Sequence, residues 1–373
     1  MDAALNLLRL THLPSASGET IMQRLEDMLS DAHPAVRFCI AQNLGLLWNR
    51  EREAMWRFAE KIASDEQNPA VIVALTSFLG NVRNADAGRV ESMVLQIHKR
   101  FPFAPPSSET KSRSAPDENI AALTAMLYVW NNSAEAAELV FQWAADPIRH
   151  QEQVRSALFH VRQAMTAGYD SDPPEEQAAR QRSQKLVEIV VDRTAIGLGE
   201  YNKLDSEDRQ IKQSDGMAFA KCLDYACASL FFGSGAFREP NFTNSSVIRS
   251  AAGKARFLAD VRSILERLGD VASPHTIYEL LQLLEFLLPA EPSTCFDLVA
   301  NAMTEGGRKQ GYHLDLLGVD IFVRIIGRCL ADHDYIFQDE ARRNRLIACL
   351  DLFIEAGWPN ALRLLYRLPE ALR

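Results

Sequence analysis

The sequence lacks the features that mark most secreted, disulfide-bonded and membrane proteins. Its six cysteines include no Cys-x-x-Cys pair, so buried reduced thiols are expected rather than disulfides or a zinc site. The N-terminus has neither the basic start nor the long apolar run of a secretory signal. No apolar run is long enough to span a membrane. We therefore expect a cytoplasmic protein that does not contact a membrane.

Basic residues are also in short supply relative to acidic ones. The chain of 373 residues has 40 Lys and Arg against 49 Asp and Glu, a formal net charge of -9. Surfaces that bind duplex nucleic acid normally carry an excess of positive charge. The balance therefore disfavours a nucleic-acid partner and leaves only a local basic groove as an alternative.

A phosphate-binding loop is missing as well. Ala252-Gly253-Lys254-Ala255 has a Gly-Lys pair, but the loop requires a glycine five positions earlier and a Ser or Thr directly after the lysine. Those positions hold Ile248 and Ala255. The run also lies inside a helical pattern with no strand before it. We expect Lys254 to be a solvent-exposed residue of a helix.

Two further short motifs do not amount to catalytic sites. Gly233-Ser234-Gly235 lacks the Gly-x-Ser-x-Gly spacing of a nucleophile elbow. Asp332-His333-Asp334 supplies too few ligands for a defined metal site and is expected at a helix end. The sequence therefore indicates no enzyme, no cofactor and no metal.

The sequence contains an internal repeat: one helical pattern occurs twice between Ser30 and Val82. The apolar positions of the first copy are Val36, Ile40, Leu44 and Leu47, and 35 positions later stand Val71, Leu75, Leu79 and Val82. The helix that precedes each copy repeats at an offset of 34. A period of this length predicts stacked helix pairs, because one pair cannot bury its apolar face alone.

This repeat resembles the HEAT repeat, whose second helix opens with a Pro, a Val and often an Arg. The residues that carry the resemblance are Asp31, Pro34, Val36 and Arg37, followed by Leu44 and Gly45. The second copy keeps Asp65, Pro69, Val71 and Gly80 but has Ile72 at the Arg position. The resemblance implies an α-solenoid, and the missing Arg predicts an irregular one without a continuous Asp–Arg ladder.

Helical periodicity continues to the end of the chain, and no segment has the alternation of a strand. The expected fold class is all-α, an irregular α-solenoid of stacked antiparallel helix pairs. We expect HEAT-like repeats over residues 1–168, with a Pro- and Ser-rich loop at 101–116 that acts as a gate or docking segment. A break at 168–174 is followed by longer, less regular helices over 175–373, which close with an amphipathic helix from Trp358 to Leu368.

Two phrases in the second half resemble the helical end of large bacterial ATP-binding proteins of the NACHT/STAND type. They run from Leu230 to Phe237 and from Glu355 to Leu368. The resemblance implies a sensor or scaffold, often in defence against phage. No phosphate loop accompanies it, so no catalytic residue is implied. It supplies the alternative that this chain is the regulatory part of a longer NTPase whose sequence extends before Met1.

The leading hypothesis is a non-enzymatic scaffold that binds a macromolecule, in the first place a protein, on a helical face. The candidate partner-binding residues are exposed positions of the first repeat: Arg37, Gln42, Asn43 and Asn49. Arg155 and Arg162, seven residues apart on one predicted helix, form a basic stripe. Acidic residues on the neighbouring helix are expected to compensate that stripe, and nucleic-acid binding through it is the remaining alternative.

Overall fold

A computed structural model of the chain describes residues 2–11, 18–101, 115–171, 173–237, 248–271, 273–312 and 316–358. Across these ranges the chain is helical and has no strand, so the all-α prediction is confirmed. It forms two compact units, Met1–Val140 and Phe141–Arg373. None of the described helices is long and apolar enough to cross a membrane. Most of the predicted 101–116 loop, and the predicted closing helix after Trp358, lie outside the described residues.

The first unit is built from two layers of helices. Its helices are α1 (Asp2–Leu10), α2 (Gly18–Met28), α3 (Pro34–Gln42), α4 (Arg52–Asp65), α5 (Pro69–Val82), α6 (Ala87–Arg100) and α7 (Ala115–Asn131). Helices α3, α5 and α7 pack side by side in one layer, and α4 packs against α6 in the other. Helix α8 (Ala134–Ala145) begins in this unit and ends in the next.

The two copies of the repeat begin in the same way. The Nδ1 atom of His33 accepts a hydrogen bond from the Ala35 N–H at 3.2 Å, and the Oδ1 atom of Asn68 accepts one from the Ala70 N–H at 3.0 Å. A proline follows each cap at the first helical position, where no N–H is needed. Of the eight predicted core positions seven are buried, and Val36 is half-buried. The 35-residue offset is therefore a structural equivalence.

The helix that starts at Pro34 is shorter than the sequence predicted. Its apolar spacing predicts a helix from Pro34 to Trp48, but the helix ends at Gln42 and a 3-10 segment, Leu44–Leu47, follows. Asn43 causes the change, since its side-chain amide donates to the Cys39 carbonyl at 2.8 Å. Asparagine side chains that bind the backbone in this way favour helix ends over helix interiors.

The second unit also has two layers. Its helices are α9 (Gln151–Val161), α10 (Pro174–Lys203), α11 (Ser206–Ile211), α12 (Gln213–Ser234), α13 (Ala251–Val271), α14 (Pro274–Leu287), α15 (Pro292–Asn301), α16 (Arg308–Gln310), α17 (Leu316–Asp332) and α18 (Glu340–Glu355). Helices α9, α12, α14 and α17 are neighbours in one layer, and α10, α13, α15 and α18 in the other.

The break predicted at 168–174 lies inside this second unit and is firmly anchored. Tyr169 is buried, its hydroxyl donates to Asp260 at 2.6 Å, and it accepts from the Gln184 amide at 2.8 Å. The guanidinium of Arg180 stacks on the Tyr169 ring at 4.1 Å. Burial, reinforced by the Asp260 carboxylate, raises the pKa of Tyr169, so its hydroxyl stays protonated as a donor.

Candidate partner-binding groove

Helices α9 and α12 pack together in the second unit, and a surface groove of about 150 Å³ lies between them. We call it the α9–α12 groove, and its lining residues are Arg155, Phe159, Arg162, Tyr225, Ala228, Ser229 and Phe232. Arg155, Phe159 and Arg162, the residue directly after α9, are four and three residues apart. On α12, Tyr225 and Phe232 are seven residues apart with the adjacent Ala228 and Ser229 between them, so each set shares one face. The intervening apolar residues of α9, Val154, Leu158 and Val161, are buried beneath it.

The two helices run in the same direction along the groove. At one end the Gln151 amide donates to the Tyr225 hydroxyl at 3.4 Å. At the other end the Thr166 hydroxyl, just past α9, donates to the Gly233 carbonyl at 2.7 Å. Arg155 and Tyr225 therefore lie toward the first end, and Arg162 and Phe232 toward the second.

Phenylalanine rings stand exposed on both walls of the groove. Phe159 on α9 is 51% exposed and Phe232 on α12 is 36% exposed. The Phe232 ring also contacts Phe231 and Phe237, with centroid distances of 5.1 and 5.0 Å. An apolar patch shared by two helices and bordered by charged groups is typical of an interaction site.

The two arginines of the groove differ in how their charge is used. Arg155 donates from Nε to the Glu152 carboxylate at 2.8 Å. The Arg162 guanidinium lies over the Phe159 ring, 4.2 Å from its centroid, a cation–π arrangement. No hydrogen bond or ion pair links it to any residue that the structure describes. With respect to the described residues, its N–H donors are therefore open to an external anion.

Tyr225 forms part of the floor. Burial, together with the nearby Glu152 carboxylate, raises the pKa of its phenol, so it presents a neutral hydroxyl. The Ser229 hydroxyl donates a hydrogen bond to the Tyr225 carbonyl at 2.7 Å. The groove thus combines aromatic walls, a neutral floor and positive charge from Arg162.

Arg37, the first candidate from the repeat, is engaged inside the first unit. Its Nε and Nη2 atoms donate to the two carboxylate oxygens of Glu66 at 2.7 and 2.9 Å, and Nη1 donates to the Asp31 carbonyl at 2.5 Å. The Glu66 side chain is nearly fully buried. This bidentate pair joins the end of α4 to α3, so Arg37 connects the two copies of the repeat.

The same contacts correct the predicted alignment of the copies. Asp31 was matched with Asp65, but Glu66 takes its place: Asp31 accepts from the His33 N–H at 2.7 Å and Glu66 from the Asn68 N–H at 2.7 Å. The 35-residue offset therefore extends through the loop. The Arg37–Glu66 ion pair joins the two copies. Ile72, which stands at the Arg position of the second copy, is buried.

The remaining candidates of the repeat do not converge on one site. Asn43 is half-buried and committed to the Cys39 carbonyl, and Asn49 is exposed. Gln42 is exposed and lines a separate groove of about 380 Å³ between α3 and α5. That groove has apolar walls from Phe38 and Phe78 and, besides Gln42, polar groups from Ser77 and Asn81.

The phosphate-loop-like run serves to pack the start of α13. A Cβ atom on Gly253 would lie 2.5 Å from a carboxylate oxygen of Asp170. Lys254 is half-buried, with its Nζ 3.6 Å from the centroid of the Phe286 ring and donating to the Phe286 carbonyl at 3.2 Å. The expectation of a solvent-exposed lysine was wrong, because Phe286 covers its side chain.

The serine of the Gly233-Ser234-Gly235 run is held by the backbone of its own helix. Ser234 is buried, and its hydroxyl donates to the Phe231 carbonyl at 2.9 Å. In the part of the chain that the structure describes, no group of three or more His, Cys, Asp or Glu side chains could hold a metal ion.

The fold and the groove together define an all-α protein of layered helices with an aromatic, arginine-lined surface site. Comparison with known protein families, with curated proteins and with solved structures finds no match to this chain. The resemblances to HEAT repeats and to NACHT/STAND proteins therefore stay predictions.

Sequence reasoning named Arg155 and Arg162 but missed Phe159, Tyr225 and Phe232. One signal was available for Phe159: it follows Leu158 on α9, outside the apolar stripe. A large aromatic at an exposed helical position marks a surface worth inspecting. No signal paired α9 with α12, since the two helices are far apart in the chain.

Proposed function

We propose that the protein is a non-enzymatic helical scaffold that binds a protein partner through the α9–α12 groove. One observation carries the proposal: exposed Phe159 and Phe232 stand on neighbouring helices beside Arg155 and Arg162. Aromatic residues and arginine are enriched at interfaces and contribute a large share of binding energy there.

The size of the groove favours a macromolecule over a small ligand. Pockets for small molecules and cofactors usually enclose about 300–1,000 Å³, whereas this groove measures about 150 Å³. That is room for one protruding side chain of a larger partner. Its hydroxyl groups, on Tyr225 and Ser229, are engaged by the protein itself.

The helices behind the groove support binding without rearrangement. Helix α12 packs against α9, α10 and α14, and apolar side chains of both walls are buried in that packing. A site on fixed helices loses little conformational freedom when it binds. Stacked helix pairs of the predicted α-solenoid would present such grooves on an extended surface.

The experiment compares proteins retained by variants of the purified chain. Phe159→Ala combined with Phe232→Ala removes both exposed rings of the groove, and Tyr335→Ala, a 55% exposed tyrosine elsewhere, is the matched control. We expect at least one protein from lysate to be retained by the wild type and the control and lost by the double variant. That protein, once purified, should bind the wild type directly.

The result that overturns the proposal is equally specific. If every retained protein binds the double variant as well as the wild type, the α9–α12 groove is not a partner site. Circular dichroism spectra of the three chains establish that the substitutions leave the helical fold intact, so a loss of retention reports on the surface.

A further inference from the structure

We infer that the segment bound in the α9–α12 groove is acidic and apolar at once: a carboxylate engages Arg162 while a large apolar side chain inserts between Phe159 and Phe232. The inference rests on the proposed function and specifies the chemistry of the partner. It derives from how the charges and rings of the groove are arranged.

Arg162 differs from the ion-paired arginines of the chain. Several described arginines bind carboxylates, among them Arg37 with Glu66, Arg324 with Glu285 at 2.6 Å, and Arg342 with Asp297 at 3.0 Å. Arg162 instead rests on the face of the Phe159 ring. A ring face orients the guanidinium but uses none of its N–H donors in the plane. No described residue occupies the planar fork, and a carboxylate fits it with two parallel hydrogen bonds.

Charge is distributed unevenly along the groove, which sets the orientation of the ligand. At the Tyr225 end, Arg155 is compensated by Glu152, and the Glu152 side chain is exposed. A second carboxylate arriving there would meet a like charge. At the Phe232 end, Arg162 has no compensating acid among the described residues. The acidic group of the partner is therefore expected at the Arg162 end.

The apolar component has a defined place between the walls. Ala228 has a short side chain and lies between Tyr225 and Phe232 along the α12 wall of the groove. Its short side chain leaves space that a leucine or aromatic side chain can fill, in contact with the Phe159 and Phe232 rings. Aromatic contacts of this kind favour edge-to-face or offset geometry.

A single-stranded nucleic acid would also match rings and an arginine, since bases stack on aromatic side chains. Phosphate backbones, however, require several cations along their path. Among the described residues the groove offers one arginine without a compensating acid, Arg162, and the whole chain is acidic, with a net charge of -9. An acidic peptide is the better match.

The test is a selection from a phage-displayed library of random dodecapeptides on the full-length chain. We expect the enriched peptides to carry Asp or Glu about one helical turn from Phe, Trp or Leu.

A synthetic consensus peptide should bind the wild type in fluorescence polarisation and lose about tenfold in affinity with Arg162→Ala, the scale of one charged hydrogen-bonded contact. Arg193→Ala, an exposed arginine on α10, should leave binding unchanged. Selection on Arg162→Glu should no longer enrich acidic peptides.

Each contrary outcome has a separate meaning. Peptides that bind equally well to the Phe159→Ala, Phe232→Ala double variant overturn the groove as a site, and with it the proposed function. Peptides that need the two phenylalanines but contain no acidic residue, or ignore Arg162→Ala, overturn only the acidic partner. Binding of fluorescein-labelled oligothymidylate at low salt, lost with Arg162→Ala, in place of peptide binding would show a nucleic-acid groove instead.

Discussion

The carboxylate of Glu66 is almost fully buried, and it accepts hydrogen bonds from a charged side chain and from two backbone N–H groups. Arg37 provides a bidentate charged contact, and the Gln67 and Asn68 N–H groups donate to the Oε1 atom at 3.0 and 2.7 Å. A buried charge held in this way contributes modestly in itself, but removing one partner leaves the other uncompensated.

We predict that Glu66→Ala lowers the free energy of unfolding by about 3 kcal/mol, the lower end of the range for broken buried pairs, because Arg37 is partly exposed. The matched control is Glu53→Ala, which removes an exposed Glu–Arg pair with Arg89 at 3.2 Å. Surface pairs contribute about 0–1 kcal/mol. Urea unfolding followed by circular dichroism measures both. Equal losses in the two variants would contradict the special position of Glu66.

The same carboxylate predicts a pH dependence. Burial alone would raise the pKa of Glu66, but the Arg37 hydrogen bond and the backbone donors outweigh it and lower that pKa below its ordinary value of 4.5. The unfolded chain therefore takes up the proton first as the pH falls. The stabilising contribution is complete above the ordinary value and is lost as the pH falls through the lowered pKa.

The measurement is the difference in melting temperature between the wild type and Glu66→Gln, which cannot titrate. We expect the wild type to be more stable at neutral pH and the difference to shrink on acidification to about pH 3. A difference that stays constant or grows with acid would show that the charge of Glu66 does not stabilise the fold.

At the scale of helices, α10 and α12 interlock through two glycines. A Cβ atom on Gly197 would lie 2.3 Å from the Phe219 ring, and one on Gly216 would lie 2.6 Å from the Tyr201 ring. Each helix thus lets a ring of the other approach its backbone. The glycines cost helix propensity, about 1 kcal/mol each relative to alanine, and the close packing of the rings offsets that cost.

Two neighbouring glycines of α10 provide a direct test of this packing. Gly197→Ala forces its new methyl group into the Phe219 ring and should destabilise the chain by about 1–3 kcal/mol. Gly199→Ala has nothing within 4 Å of the added Cβ, so it should stabilise by about 0.5–1 kcal/mol through helix propensity alone. Thermal unfolding of the two variants should therefore shift in opposite directions, and a shared direction would refute the interlock.

Single helices were predictable where local signals agreed. The apolar period and the turn residues on either side predict a helix over Ala87–Arg100, and α6 has the same bounds. Helical periodicity also predicts one helix from Glu207 to Phe232, but this segment divides at Lys212 into α11 and α12. No side chain of α11 is buried, so the burial that would extend one helix through this segment is missing.

At the scale of the whole molecule, long-range pairing limited the site prediction. The seven-residue spacing of Arg155 and Arg162 predicts one basic stripe, and in the structure the two half-buried side chains both line the α9–α12 groove. The partner helix of that stripe comes from α12, more than sixty residues later in the chain. Local patterns contain no information on which exposed faces become neighbours, so Tyr225 and Phe232 could only be found in three dimensions.

The six cysteines give a last prediction that concerns the fold as a whole. All of them are buried and outside disulfide bonds, and burial raises the pKa of Cys222, Cys329 and Cys349 to about 12. The thiolate is the reactive form, and it is scarce and inaccessible in the native chain. We expect almost no reaction with Ellman's reagent at mildly alkaline pH until denaturant is added, and then reaction of six thiols.

Because the cysteines are spread over both units, slow labelling without denaturant would report global opening. Rapid labelling of any one thiol would instead identify a locally open region and contradict its burial.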